Sequence, residues 1–287
     1  MALCMDYHSR GNLANLVLDE RINLSVGLQL RMAHDVAAGI AFIHTLEENN
    51  EKAVHGNLKL ENILLTEDLR CKISDFGYLK AVTMTPSMRA TFNGRSGTLQ
   101  ANQIYQPPEN LGNPTLDFTQ AGDVYSLSIM LYTLLSRKLP NPDQYIAHVR
   151  NGTCPAIDVL YNARSRYDCR ERQTFKEIIE QMKLGCAQDP ALRPSSSRIR
   201  NKFDELLTLE NEAEIGQHAK EVSSQLHDQV KFAIADQRRV PVQTFSLMTG
   251  GFDQGTRKSC CIVLFFMPLL GATLFFIWKR WNIVIKK

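Results

Sequence analysis

The chain has 287 residues, enough for one large domain or two small ones, and its 44% hydrophobic and 22% charged residues are typical of a globular protein. A net charge of +3 is too small to indicate a nucleic-acid-binding protein. The seven cysteines form no C-x-x-C pair, and scattered thiols of this kind favour a reducing compartment over a disulfide framework.

The first quarter of the chain predicts helix with short strands. Residues 1–7 (MALCMDY) form an apolar run that predicts a strand, and no basic segment precedes it as in a secretory signal. Ser25 is a suitable N-cap for a long helix that runs to about residue 46, with apolar residues at helical spacing. Residues 63–65 and 71–74 are short apolar segments around a polar turn, which predicts a β-hairpin.

The middle of the chain predicts a set of helices after a long polar segment. Residues 78–106 are rich in Ser and Thr, and loops of this length are commonly functional or disordered. Their hydroxyls are candidate phosphorylation sites, and the alternative is a loop that is simply solvated. An apolar helix is predicted at residues 117–136, and its single carboxylate, Asp123, should accept hydrogen bonds because burying a bare carboxylate is unfavourable. Further helices are predicted at residues 141–150, 172–186 and 195–209.

The C-terminal part of the chain predicts a stalk and a membrane anchor. Residues 210–258 are polar, and their apolar positions are too irregular for a sustained heptad, so we expect a flexible or partly helical stalk. Residues 260–278 (CCIVLFFMPLLGATLFFIW) carry no charge, and about 20 residues suffice to cross the hydrocarbon core as a helix. We therefore predict a transmembrane helix over residues 259–279 and a short basic tail at 280–287. The alternative is a buried globular helix.

The sequence HGNLKLEN at residues 55–62, followed by Asp75-Phe76-Gly77, carries the functional prediction. The pattern H-x-x-L-x-x-x-N with a later D-F-G resembles the catalytic loop and the metal loop of protein kinases. Asn57 stands at the position of the catalytic Asp, and an amide is not a base near neutral pH. Gly56 stands where the family commonly has the arginine that clamps a phosphorylated loop. The resemblance implies a mainly α fold, the C-terminal (large) lobe of a protein kinase with short β-hairpins, over residues 1–209.

The resemblance also implies a nucleotide site. Met5 would be the gatekeeper residue, and Asp6 and His8 would present backbone groups to an adenine edge. Asn12 would lie near a ribose, and Leu64 would form the floor of the adenine pocket.

Phosphate and metal contacts are implied by the same resemblance. Lys59 would contact the γ-phosphate, and Asn62 and Asp75 would be the two metal ligands. A carboxylate and an amide oxygen suit Mg²⁺ that bridges phosphates. ATP and Mg²⁺ are therefore the cofactors that the resemblance implies.

Two further motifs concern the scaffold. Residues 106–109 (QPPE) resemble the end of an activation segment, and residues 189–194 (DPALRP) resemble the D-P-x-x-R-P signature of the family. By this resemblance Glu109 and Arg193 form a largely buried ion pair, and Asp123 ties down the backbone of the loop that begins at His55. These four residues are expected to be structural.

The resemblance departs from a complete kinase at its start. No Gly-rich loop and no strand lysine precede Met1, so the small lobe is largely absent from this sequence, either because the chain is a fragment or because it is a free-standing large lobe. The HGN triplet followed by Leu-Lys also resembles the kinase-homology domain of receptor guanylyl cyclases. No cyclase domain follows it here.

Three functions are compatible with these observations. The first is a membrane-anchored pseudokinase that binds ATP and Mg²⁺ and acts in signalling through protein partners. The second is a truncated serine/threonine kinase with weak phosphotransferase activity, and the third is a scaffold that does not use nucleotide. The lobe is expected in the cytosol, although four basic residues after the predicted span against two before it oppose the positive-inside preference.

Overall fold

The computed structural model describes residues 8–48, 51–75, 104–113, 116–150, 160 and 168–237. The α-helices of this part of the chain are α1 (Leu13–Val17), α2 (Val26–Ile43), α3 (Pro108–Gly112), α4 (Gln120–Ser136), α5 (Pro142–Arg150), α6 (Cys169–Gly185), α7 (Ser196–Leu207) and α8 (Glu212–Gln237). Two antiparallel hairpins pair β1 (Glu47–Glu48) with β2 (Glu51–Lys52) and β3 (Ile63–Leu65) with β4 (Cys71–Ile73). Helices dominate and strands are few, as the predicted fold class requires.

Helix α4 is the centre of the hydrophobic core. Residues 122–135 of this helix are all buried, and a helix that is apolar on every side is expected to be surrounded by other elements. Helices α2 and α6 pack against α4, and α7 packs against α2. The side chain of Ser25 caps α2 by accepting a hydrogen bond from the Leu28 N–H at 3.3 Å, so this helix begins where the sequence predicts.

The β3–β4 hairpin is attached to α2 through Asp35. This carboxylate accepts hydrogen bonds from Arg70 Nε at 2.8 Å, Arg70 Nη2 at 2.5 Å and the Cys71 N–H at 3.0 Å. Burial alone would raise the pKa of the Asp35 carboxyl, but nearby His34 and the hydrogen bonds from Arg70 and Cys71 hold that pKa below its ordinary value of 3.8. The hairpin is therefore fixed to α2, and Asp75, two residues after β4, is positioned with it.

Helix α8 lies within the segment predicted as a polar stalk, but it packs on the lobe. One face of α8 is at most 7% exposed and consists of Ile215, Ala219, Val222 and Leu226. The Ser223 hydroxyl accepts a hydrogen bond from Arg10 Nε at 2.7 Å and donates one to the Glu67 carbonyl at 2.6 Å. The irregular heptad predicts a flexible or partly helical stalk. The segment does form a helix, but it packs on the lobe, because a single apolar stripe is enough to cover one side of a lobe.

Several predicted segments lie outside the described residues. They are the strand at residues 1–7, Phe76 and Gly77 of the Asp-Phe-Gly motif, residues 78–103 of the activation-segment-like loop predicted at 78–106, the end of the predicted stalk at 238–258, the transmembrane helix at 259–279 and the tail at 280–287. Of the helices in the described ranges, none combines the length and the apolar character that a membrane crossing requires.

Candidate functional site

The start of the loop at residues 55–62 is held by Asp123 of α4. Its Oδ2 accepts the His55 N–H at 2.7 Å, and its Oδ1 accepts the Gly56 N–H at 2.8 Å. His44 Nε2 lies 3.0 Å from the same Oδ2. Asp123 is 2% exposed, so these donors stabilise a buried carboxylate that would otherwise be unfavourable.

His55 links this loop to the strand that precedes Asp75. The ring is fully buried, and its Nδ1 accepts the Asn57 N–H at 3.3 Å. Because Nδ1 is the acceptor, Nε2 carries the proton and donates to the Ser74 carbonyl at 3.0 Å. His55 therefore fixes the spacing between Asn57 and Asp75.

Gly56 occupies a position that favours glycine for two reasons. Its φ is +72°, in the left-handed region. A Cβ atom there would lie 3.0–3.3 Å from Cγ, Cδ2 and Cβ of Phe118. The arginine that kinases commonly carry at this position would thus require a shift of the Phe118 ring.

Asn57, Asn62 and Asp75 converge on one carboxylate oxygen. Asn57 Nδ2 donates to Asp75 Oδ2 at 3.1 Å, and Asn62 Nδ2 lies 3.4 Å from the same oxygen. Asn62 Nδ2 also donates to the Asn57 carbonyl at 2.8 Å. The Ser74 N–H and hydroxyl both donate to the Asn62 carbonyl, at 2.8 and 2.9 Å. The structure thus brings the predicted base position and both predicted metal ligands together.

These residues fit a magnesium ion bound together with phosphates. Asp75 supplies a carboxylate that is exposed to solvent, and the Asn62 side chain directs its Nδ2 into the loop, which leaves its Oδ1 as the possible ligand. In the described part of the chain, no group of three or more His, Cys, Asp or Glu side chains could hold a metal ion without further ligands. A cation held by Asn62 and Asp75 would therefore complete its coordination with water or phosphate oxygens, and it would supply positive charge to those phosphates.

Only some of the predicted nucleotide-binding residues lie among the residues that the structure describes. Met5 and Asp6 lie outside the described residues. The His8 carbonyl accepts the Gly11 N–H at 3.3 Å, and the Asn12 side chain caps α1 by accepting the Asn15 N–H at 3.0 Å.

Asn12 and Leu64 are neighbours in the fold. They form an isolated antiparallel bridge, and the Leu65 N–H donates to the Gly11 carbonyl at 2.9 Å. The predicted ribose contact and the predicted adenine floor are therefore adjacent. Lys59 is half-buried and directly precedes the 3₁₀ turn Leu60–Asn62.

Arg193 and Glu109 form a bidentate ion pair. Nη1 and Nη2 of Arg193 donate to Oε1 and Oε2 of Glu109, each at 2.8 Å. Nε donates to the Ala187 carbonyl at 2.8 Å, and the guanidinium carbon lies 5.0 Å from the centre of the Tyr125 ring. This pair joins α3 to the region between α6 and α7.

Sequence reasoning missed three residues that support the site. His44, at the C-cap of α2, bridges Asp123 and the Ser196 hydroxyl, which lies 2.8 Å from its Nδ1. Phe118 packs where a Cβ at Gly56 would project. Arg137 donates to the carbonyls of Val17, Asp19 and Ile22 at 2.5–2.9 Å and so holds α1 in place. Only His44 has a sequence signal, its place at the end of a long amphipathic helix.

A cleft of about 610 Å³ lies elsewhere and carries no comparable chemistry. It is lined by residues of α6 and α7 and their flank, among them Ser195, Arg198 and Lys202. Ser195 already caps α7, and Lys202 lies within 4 Å of Glu177 and Glu205. No residue of the loop at 55–62 lines this cleft.

Comparison with known proteins defines the class. Residues 1–203 match the family described as protein tyrosine and serine/threonine kinase. The chain therefore belongs to the protein kinase superfamily, as its motifs indicated.

Individual relatives include both kinases and receptor cyclases. The chain is 37% identical over 199 residues to "Dual specificity protein kinase shkC" and 31% identical over 186 residues to "Probable serine/threonine-protein kinase drkD", both of Dictyostelium discoideum. It is 27% identical over 219 residues to "Receptor-type guanylate cyclase Gyc76C" of Drosophila melanogaster. These matches cover 69%, 61% and 71% of this chain but only 36%, 13% and 13% of the respective relatives. The predicted resemblance to receptor guanylyl cyclases is confirmed.

Proposed function

We propose that this chain is a pseudokinase lobe that binds ATP, with Asn62 and Asp75 as the residues that would hold Mg²⁺, and that acts in signalling through protein partners. A helix over residues 259–279 would anchor it to a membrane. The observation that carries the proposal is the arrangement at Asp75. Both metal-ligand residue types are present and adjacent, with 3.4 Å between Asn62 Nδ2 and Asp75 Oδ2, while the base position holds an amide.

Loss of the base affects catalysis more than binding. A positioned general base contributes about 10²–10⁴-fold to a rate, and the Asn57 amide cannot accept a proton. Its Nδ2 is a donor to Asp75 here, which is the opposite of what the reaction requires from this position. Much of phosphoryl transfer depends on positioning and charge stabilisation, so a site without the base can still hold nucleotide.

Regulation by loop phosphorylation is also weakened in this chain. Gly56 provides no guanidinium to pair with a phosphorylated hydroxyl, and Phe118 occupies the space beside it. We therefore propose that the lobe transmits its state through surfaces and bound nucleotide rather than through a phosphorylated activation segment.

The test is nucleotide binding and phosphotransfer by the purified full-length chain. We expect calorimetry to show saturable ATP binding, with a dissociation constant for ATP that changes at least about threefold in Asp75→Ala. We expect phosphotransfer at or near background. Asp143→Ala, an exposed carboxylate on α5, is the matched control and should leave ATP affinity unchanged.

Two outcomes would favour the alternative functions. Transfer of the γ-phosphate at a rate that falls on Asp75→Ala would indicate a weak serine/threonine kinase. A folded protein without any detectable ATP binding would indicate a scaffold that does not use nucleotide.

A further inference from the structure

We infer that Ser223 of α8 is a positioning residue for the proposed nucleotide site, so that the docking of α8 on the lobe and the binding of nucleotide favour each other. This role rests on the proposed nucleotide binding and adds a means of regulating it. It places that regulation in a helix beyond residue 203, where the match to the kinase family ends.

The Ser223 side chain joins two parts of the lobe that are far apart in the chain. It is 4% exposed. Its hydroxyl donates its proton to the Glu67 carbonyl at 2.6 Å, and its oxygen accepts a hydrogen bond from Arg10 Nε at 2.7 Å. Ser223 therefore bridges the segment that precedes α1 and the turn of the β3–β4 hairpin.

The same two parts of the lobe meet again at the predicted nucleotide contacts. One residue after Arg10, the Gly11 carbonyl accepts the Leu65 N–H at 2.9 Å, and Asn12 and Leu64 form the neighbouring antiparallel bridge. The bridge through Ser223 and this backbone contact thus restrain the same pair of segments. The spacing between the predicted ribose contact and the predicted adenine floor depends on both.

The Ser223 hydroxyl is in turn positioned by the docking of α8. Val222 and Leu226, which flank it on the helix, are at most 7% exposed. Near the start of the helix, His218 Nε2 lies 3.2 Å from the Asn23 carbonyl oxygen, just before α2 begins. The hydroxyl reaches both of its partners only while α8 lies on the lobe, so Ser223 links this docking to the segment that precedes α1.

Such a link has a thermodynamic consequence in both directions. If the bridge through Ser223 raises the population of lobes with a well-formed nucleotide site, the apparent affinity for nucleotide rises by the same factor. Nucleotide must then stabilise the docked state of α8 by an equal factor, because coupling between two binding events is reciprocal.

The test compares ATP binding by full-length wild type, Ser223→Ala and Ser224→Ala in Mg²⁺ buffer by calorimetry. Ser224 is the next residue of α8 and is exposed, so Ser224→Ala makes the same chemical change in the same helix away from the bridge. We expect the ATP Kd to rise about threefold or more in Ser223→Ala, as befits the loss of a bridging hydroxyl. In Ser224→Ala the Kd should stay within about 1.5-fold of wild type.

Hydrogen exchange separates positioning from simple stabilisation. Without nucleotide, the Leu65 N–H should exchange faster in Ser223→Ala than in Ser224→Ala, because its contact with Gly11 is less restrained. In wild type and Ser224→Ala, ATP should slow the exchange of the α8 amides, and this slowing should shrink in Ser223→Ala. A lower Tm in Ser223→Ala with an unchanged ATP Kd and an unchanged effect of ATP on α8 would overturn the inference.

A second variant keeps the test decisive if Ser223→Ala folds poorly. Arg10→Ala breaks the bridge from its other end and leaves the buried face of α8 intact. Arg10 takes part in a further interaction, so a double-mutant cycle is needed to isolate the bridge. We expect the effects of Arg10→Ala and Ser223→Ala on the ATP Kd to be less than additive, and full additivity would contradict a shared bridge.

The failure of this role and the failure of the proposed function give different results. ATP binding by wild type with equal affinities in Ser223→Ala and Ser224→Ala would overturn the role of Ser223 and leave the proposed function standing. No ATP binding by wild type would contradict the proposed function and the coupling together. The exchange of the Leu65 N–H, measured without nucleotide, still decides whether Ser223 holds the two segments together.

Discussion

Gly56 and Phe118 show how single residues decide what the loop can do. Glycine is needed at residue 56 both for its φ of +72° and for the ring of Phe118, which would contact any Cβ at 3.0–3.3 Å. The sequence alone shows that an arginine is missing. It does not show that the space for one is filled, because Phe118 is 62 residues away along the chain and contacts the loop only after folding.

Replacing Gly56 by the family's arginine should therefore destabilise the protein. We expect Gly56→Arg to lower the free energy of unfolding by about 1–3 kcal/mol, since it combines a strained left-handed backbone with overlap at the Phe118 ring. Chemical denaturation monitored by circular dichroism measures this change.

The overlap with Phe118 can be separated from the backbone strain. In a Phe118→Ala background, Gly56→Arg should cost less, with a coupling between the two positions of about 0.5–2 kcal/mol. The remaining cost reports the backbone strain. Equal costs in the two backgrounds would show that the ring does not exclude the arginine.

At the scale of elements, α8 changes the boundary of the folded unit. The sequence predicts a flexible or partly helical stalk from residue 210, yet Ile215 is 5% exposed and its Cγ1 lies 3.0 Å from where a Cβ on Gly27 would be. The polar contacts of Ser223 connect α8 to Arg10, close to the predicted ribose contact Asn12, and to Glu67 in the β3–β4 turn. Through Ser223, α8 is therefore hydrogen-bonded to residues that lie close in sequence to Asn12 and Leu64, the predicted ribose contact and adenine floor.

If α8 is part of the fold, truncating its buried face should destabilise the whole lobe. We expect Ile215→Ala to lower the free energy of unfolding by about 2–5 kcal/mol, because it removes buried methyl groups and leaves a cavity against α2. The exposed residue Lys220 on the same helix provides the control, and Lys220→Ala should stay within about 0.5 kcal/mol of wild type. A free stalk would show two equally small effects.

At the scale of the whole molecule, the folded lobe and the predicted membrane anchor are separate segments of the chain. The described residues account for a kinase-like lobe extended by α8, and the apolar run at residues 260–278 lies beyond them. The proposal that a helix there holds the lobe at a membrane depends on the sequence pattern alone. It calls for a test that leaves the lobe unchanged.

A charge inside the predicted span should release the protein from membranes. We expect the full-length chain to remain in the membrane pellet after alkaline carbonate extraction, and Leu269→Arg with Leu264→Arg to shift most of it to the supernatant, since each arginine opposes insertion by about 2.5–3.5 kcal/mol near the centre of a span. Leu247→Arg, the same change in the preceding polar segment, should leave the distribution unchanged. Equal extraction of all three proteins would contradict the anchor.

The sequence by itself determined the family and the positions of the main helices. The patterns at residues 55–62, 75–77, 106–109 and 189–194 are local in the chain, and helical periodicity is a short-range property, so both can be read without a structure. The Ser25 cap and the hydrogen-bonded Asp123 follow from equally local arguments about helix ends and buried charge.

Only the tertiary structure decided how the residues of the site contact one another. Asn57 and Asp75 are 18 residues apart, yet they meet in one hydrogen bond because Asp123, His55 and Asp35 fix the loop and the hairpin from three directions. The docking of α8 was hidden for the same reason: whether an apolar stripe is covered depends on a complementary surface contributed by distant residues. Periodicity shows that such a stripe exists, whereas its partner is set by the packing of the folded chain.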